Sequence, residues 1–136
     1  MKQQRGFTLI ELLVVLVIIT LLSSTVGPKL FNKLSSSKVK VAKTQVELIV
    51  SALDTYRVDM GEFPSTEQGL QVLRQAPANS QYWDGPYLPK DVPLDPWDHP
   101  YQYKNPGSNG QPYALYSFGA DGQPGGEGQN ADVGQL

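Results

Sequence analysis

The sequence predicts an α+β fold. A long N-terminal α-helix, membrane-spanning in its first half and amphipathic in its second, packs on a small domain with a short helix and a small antiparallel β-sheet. Three patterns carry that expectation. Residues 7–26 are almost wholly apolar, apolar side chains then recur at helical spacing as far as Met60, and two short aromatic-rich runs at 101–104 and 113–118 flank a turn-forming segment.

The apolar run reads FTLIELLVVLVIITLLSSTV and holds one charge, Glu11. At about 1.5 Å per residue its twenty or so residues span about 30 Å as a helix, the thickness of a bilayer core. Lys2 and Arg5 precede it. The positive-inside bias therefore places the short N-terminus in the cytoplasm and everything after Gly27 outside, a single-pass topology. A secretory signal would end in an A-x-A-like cleavage site, but the run ends in Leu22-Ser23-Ser24-Thr25-Val26-Gly27-Pro28. A plain anchor leaves Glu11 without a reason, because a carboxylate in hydrocarbon costs up to a few kcal/mol and calls for a partner or a role.

In the continuation, 28–60, Leu30, Leu34, Val41, Val46, Ile49, Leu53 and Tyr56 mostly follow three- and four-residue steps, and Lys29, Lys33, Lys38, Lys40, Lys43, Glu47 and Asp54 fall largely elsewhere. That is an amphipathic helix with one face set to pack on a domain. Gly27-Pro28 is expected to bend or locally melt it, since proline removes a backbone donor and clashes with the preceding turn.

Residues 61–136 form the globular part. Gly61 ends the helix and Phe63-Pro64 directs the chain away. Ser65, with Gln68 three residues on, opens a short helix to about Gln75 that offers Leu70, Val72 and Leu73 for burial. The stretch 82–100 sets Trp83, Tyr87, Leu88, Leu94 and Trp97 among five prolines and reads as a packed loop whose aromatics cover the long helix. The runs at 101–104 and 113–118 make a β-hairpin around Asn105-Pro106-Gly107-Ser108-Asn109-Gly110. The C-terminal segment is so rich in Gly, Gln and Asn that composition alone makes it a disordered tail.

A chain of 136 residues leaves about 105 to 110 for the soluble part, enough for one compact domain and too few for a two-domain enzyme. Eleven basic against thirteen acidic residues give a net charge of −2, without the broad positive surface that a phosphate backbone needs, so nucleic acid is excluded as a partner. No cysteine is present, so neither disulfides nor thiolate metal sites can hold the exported domain. Asp, Gly, Asn and Pro gathered near the C-terminus point instead to an oxygen-ligand metal. Asp95, Asp98 and the single histidine, His99, could suggest acid–base or metal chemistry, but Asp-Pro-Trp-Asp-His-Pro reads more simply as a run of turns. Neither a Gly-x-Ser-x-Gly nor a phosphate-cradling Gly-Lys-Ser/Thr sequence occurs, so no enzyme activity is expected.

Arg5-Gly6-Phe7-Thr8-Leu9-Ile10-Glu11 resembles the prepilin signature of type IV pilins and type II secretion pseudopilins. The resemblance implies a leader of residues 1–6, cleaved between Gly6 and Phe7 by a prepilin peptidase that also methylates the new amine of Phe7. It further implies that Glu11 pairs with the terminal amine of a neighbouring subunit, and that the helix loosens at Pro28 inside the filament. Tyr56-Arg57-Val58-Asp59-Met60-Gly61-Glu62-Phe63-Pro64, Thr66-Glu67-Gln68-Gly69-Leu70, Asp95-Pro96-Trp97 with Pro100-Tyr101-Gln102-Tyr103, and Gly119-Ala120-Asp121-Gly122 are similar to the major pseudopilins of type II secretion. Asp98-His99 departs from that family, in which Gly followed by a polar residue is expected.

By this resemblance the chain is a homopolymer subunit of a periplasmic pseudopilus that drives export of folded proteins across the outer membrane. It would be anchored in the bacterial inner-membrane bilayer, with minor pseudopilins, the prepilin peptidase and an inner-membrane assembly platform as partners. A type IV pilin of a surface pilus is the alternative, disfavoured by the lack of a C-terminal cysteine pair. A periplasmic binding module that never assembles is a third reading. For the loop 118–136 the resemblance implies a structural calcium ion with side-chain ligands Asp121 and Asp132 and carbonyl ligands Phe118 and Gln123. Glu127 and Asn130 stay open as further ligands.

Overall fold

The computed structural model describes residues 1–136, which form two compact units, Met1–Ser35 and Ser36–Leu136. One helix, α1, spans Leu9–Met60. In the first unit its apolar side chains, from Leu9 through Phe31 and Leu34, are exposed, and α1 is the one helix long and apolar enough to cross a membrane.

The local melting expected as one outcome at Pro28 is absent, since α1 continues through it. Proline deletes one backbone bond, the one that would reach the carbonyl of Ser24, and the rest of the helical ladder remains. The hydroxyls of Thr20, Ser24 and Thr25 fold back onto the carbonyls of Leu16, Leu21 and Leu22 at 2.8, 2.7 and 2.9 Å. These bonds satisfy the hydroxyls within an apolar stretch, and none of them reaches the carbonyl that Pro28 frees.

In the second unit Ala42, Val46, Ile49, Ala52, Leu53 and Tyr56 are buried, a stripe of three- and four-residue steps on one face of α1. It packs with Leu70, Val72, Leu73, Leu88, Tyr101, Tyr113 and Leu115 in one core. The expected stripe was longer. Leu30 and Leu34 are exposed in the first unit, and Val41 is exposed because it lies about 100° around the helix from buried Ala42.

Ser65 and Gln68 form the anticipated capping box, with Ser65 N–H donating to Gln68 Oε1 at 2.8 Å and Gln68 N–H to Ser65 Oγ at 3.2 Å. The helix it was expected to open is only a 3-10 helix, Leu70–Leu73, because Gly69 takes φ +62° and separates it from the capped turn. Even so, Leu70, Val72 and Leu73 are buried as expected. The proline-rich loop covers this part of α1 through Tyr87, whose ring meets Tyr56 edge-on at 5.6 Å and whose hydroxyl donates to Asp59 at 2.8 Å.

The hairpin forms as β1, Gln102–Lys104, and β2, Ala114–Ser117, antiparallel with Tyr103 opposite Leu115. A third strand, β3, Val133–Gln135, pairs antiparallel with the other edge of β2, giving the order β1-β2-β3. Composition gave no sign of it. The C-terminal segment is an ordered loop with a 3-10 helix at Gly128–Asn130, closed by this strand. Only Gly134 fits opposite Tyr116, at φ +140°, since a Cβ there would lie 2.2 Å from the carbonyl oxygen of Leu115.

Candidate processing, assembly and metal sites

Gly6 and Phe7 lie before the first turn of α1, exposed and outside regular structure, with nothing within 4 Å of the place a Cβ on Gly6 would take. The Gly6–Phe7 bond is thus accessible. Glu11 has a local partner that sequence reasoning missed. Thr8 N–H donates to Glu11 Oε2 at 3.5 Å and Glu11 N–H to Thr8 Oγ1 at 3.2 Å, a capping box closing the start of α1. The Thr-x-x-Glu spacing could have revealed it.

Asp95 is 2 % exposed, and it organises the turn in which acid–base chemistry was considered. Its Oδ1 accepts the N–H groups of Trp97 and His99 at 3.0 and 2.9 Å, and its Oδ2 accepts the hydroxyl of buried Ser117. Asp98 takes φ +65°, the left-handed region, which explains why glycine is expected there in the family. The His99 ring stands against the C-terminal loop, with Nδ1 3.3 Å from the carbonyl of Gly119, and would be 3.3 Å from a Cβ on Gly122. The carboxylate and imidazole therefore tie a turn to the loop.

The loop's two arms are stitched together. Ala120 N–H donates to the carbonyl of Gln129 at 2.9 Å, and a Cβ on Gly119 would come within 2.9 Å of the backbone of Gln129, Asn130 and Ala131. Of the expected ligands, Asp121 accepts the N–H of Gln123 at 3.1 Å, and Asp132 accepts the N–H of Gly125 at 3.1 Å through Oδ2. The other carboxylate oxygen of Asp132 is buried and has no partner. No three His, Cys, Asp or Glu side chains gather to hold a metal, so any cation here takes much of its coordination from backbone carbonyls. Glu127 is exposed and Asn130 partly buried, and neither is drawn toward Asp121 or Asp132 by a hydrogen bond.

An apolar helix whose side chains find no cover in their own unit, followed by a small α+β domain that ends in a glycine-rich loop, defines the pilin-like class of filament subunits. Family profiles narrow the class. The profile described as "Type II secretion system (T2SS), protein G" matches residues 29–136, and "Prokaryotic N-terminal methylation motif" matches residues 1–27. The chain belongs to the type II secretion system protein G family, the major pseudopilins.

Type II secretion system core protein G of Pseudomonas aeruginosa is 44% identical over 98% of this chain and 95% of that protein. Its Vibrio cholerae counterpart is 42% identical over 98% and 92%. The crystal structure of the major pseudopilin from the type 2 secretion system of enterohaemorrhagic Escherichia coli superposes with a TM-score of 0.63 at 32% identity, covering 79% of this chain and 93% of that one. The family is a structural part of a secretion system.

Proposed function

We propose that the chain is the subunit of a periplasmic pseudopilus that serves export of folded proteins by a type II secretion system. The observation that carries this reading is a methylation motif over residues 1–27 that runs into a helix whose apolar residues are left exposed, on a chain whose remainder matches protein G. In this reading a prepilin peptidase removes residues 1–6 and methylates Phe7, and the first part of α1 stays in the inner membrane with the domain in the periplasm. On assembly, with minor pseudopilins and an inner-membrane platform, Glu11 pairs with the amine of the neighbouring copy. An amine and a carboxylate attract strongly where the dielectric is low, and each is costly alone. Pro28 is the place where a helix unbroken in the single chain would loosen in the filament.

Mass spectrometry of the chain extracted from native membranes should find methylated Phe7 at the N-terminus; an intact Met1 in cells with prepilin peptidase would contradict the reading. Deleting the protein should abolish release of secreted hydrolases. Loss of surface pili with secretion intact would favour a type IV pilin instead.

We further propose that calcium holds the loop 118–136 in place of a disulfide. The buried, unpartnered oxygen of Asp132 supports this, and the ligands proposed are Asp121, Asp132 and the carbonyls of Phe118 and Gln123, oxygen donors of the kind calcium takes. Calcium supplies positive charge that gathers these oxygens. Binding to the folded state alone would add about 2.7 kcal/mol at a calcium concentration 100 times Kd. Melting the full chain in detergent with calcium and with chelator tests this: the midpoint should rise in calcium, and Asp121→Ala should lose that rise. An unchanged midpoint would sink the site.

A further inference from the structure

A backbone carbonyl has no rotamer of its own, and it points where its peptide plane points. The carbonyl of Phe118 shares its plane with the N–H of Gly119, so whatever holds that N–H also aims the carbonyl. Gly119 N–H donates to Ser117 Oγ at 3.0 Å. Ser117 is fully buried and gives its hydroxyl proton to Asp95, which leaves an oxygen lone pair as its remaining capacity and fixes it as the acceptor toward Gly119. Asp95 is itself immobilised by the N–H groups of Trp97 and His99. The next peptide plane is held as well, since the carbonyl of Gly119 faces His99 Nδ1 at 3.3 Å.

We infer that Ser117, oriented by Asp95, and His99 are positioning residues that clamp both peptide groups of Gly119 and so aim the carbonyl of Phe118 at the calcium ion. This rests on the calcium reading above. The arrangement accounts for a buried carboxylate that the filament role does not use. It also accounts for a histidine placed against the loop, next to a residue that adopts a left-handed conformation to put it there. Groups that orient metal ligands typically change affinity by about 10- to 100-fold when removed.

The test uses the full chain in detergent micelles, titrated with calcium by calorimetry and melted in calcium and in chelator. Ser117→Ala should weaken calcium binding about tenfold or more and shrink the calcium-induced rise in midpoint. His99→Ala, at a partly exposed position, should weaken it by no more than about tenfold, the low end of such effects, because it holds the plane next to that of the ligand carbonyl. A Ser117→Ala chain that melts lower in chelator yet binds calcium like the unmodified chain would mark a structural staple and overturn the inference. Should Ser117→Ala fail to melt cooperatively, His99→Ala decides: unchanged affinity overturns the inference, and weakened affinity with an unchanged chelator midpoint upholds it. No calcium response in the unmodified chain overturns the inference and the calcium reading together. A normal response there with indifferent variants overturns the inference alone.

Discussion

Met1–Ser35 and Ser36–Leu136 share one helix and treat its apolar side chains in opposite ways. In the first, residues such as Leu16 and Leu22 stay more than 60% exposed; in the second, Ile49 and Leu53 are fully buried. Helical hydrogen bonding is satisfied within the segment in both, so secondary structure does not distinguish them. What differs is the source of the cover. The domain supplies its own, whereas the first unit leaves its hydrocarbon uncovered.

That contrast can be broken by mutation. Leu53→Ala should cost the domain about 2–5 kcal/mol, read as a lower thermal midpoint, whereas Leu16→Ala should move that midpoint by less than about 0.5 kcal/mol. Equal effects would show that the first unit helps to stabilise the second. Gly134→Ala should cost about 2 kcal/mol, because the new Cβ cannot coexist with the carbonyl of Leu115 and β3 must separate from β2. Hydrogen exchange would show protection lost at β2 and β3 and unchanged in the first unit.

Alkaline pH sharpens the contrast further, because all seven tyrosines lie in the second unit. Burial pushes the phenols of Tyr101 and Tyr103 well above their ordinary value, with the charge of Asp95 adding to the effect at Tyr101, and burial raises Tyr56, Tyr87 and Tyr113 in the same direction. The unfolded chain releases these protons near pH 10 while the folded domain keeps them. Stability is therefore fully present below about pH 10 and falls as pH rises beyond it. Melting followed by circular dichroism should show the domain's transition moving down above pH 10 while helical signal from the first unit persists. A gain is expected from Asp98→Gly, which should stabilise the domain by up to about 1 kcal/mol, read as a higher midpoint, by removing a side chain from a left-handed position.

The long helix and the hairpin were legible because periodicity and turn residues announce them over many positions. The capped turn at Ser65 was legible too, but Gly69 then changed the helix type, and one glycine carries no sign of its φ in the sequence. β3 was hidden because a three-residue strand with one buried side chain, Val133, has no period to read; its pairing is set by the space left beside β2. Pro28 misled in the other direction, since proline read in isolation marks a melted turn, whereas inside a 52-residue helix it removes one bond among many. The residues of the candidate metal loop could be named from resemblance. The support behind them could not, because Asp95, His99 and Ser117 are brought together only by the fold.

The cap at the start of α1 makes any pairing of Glu11 an exchange. In the single chain its carboxylate already faces the backbone N–H of Thr8 at 3.5 Å, the long end of hydrogen-bond range. A neighbouring amine must therefore outcompete a partner that is always at hand, and the gain on joining is the difference between two bonds rather than the whole of one. The same contact would leave the carboxylate less isolated in any low-dielectric surroundings. Because that donor is the backbone N–H of Thr8, which any residue but proline supplies, replacing Thr8 with Ala would remove the Oγ1 that caps the Glu11 N–H and leave the competitor for the carboxylate in place.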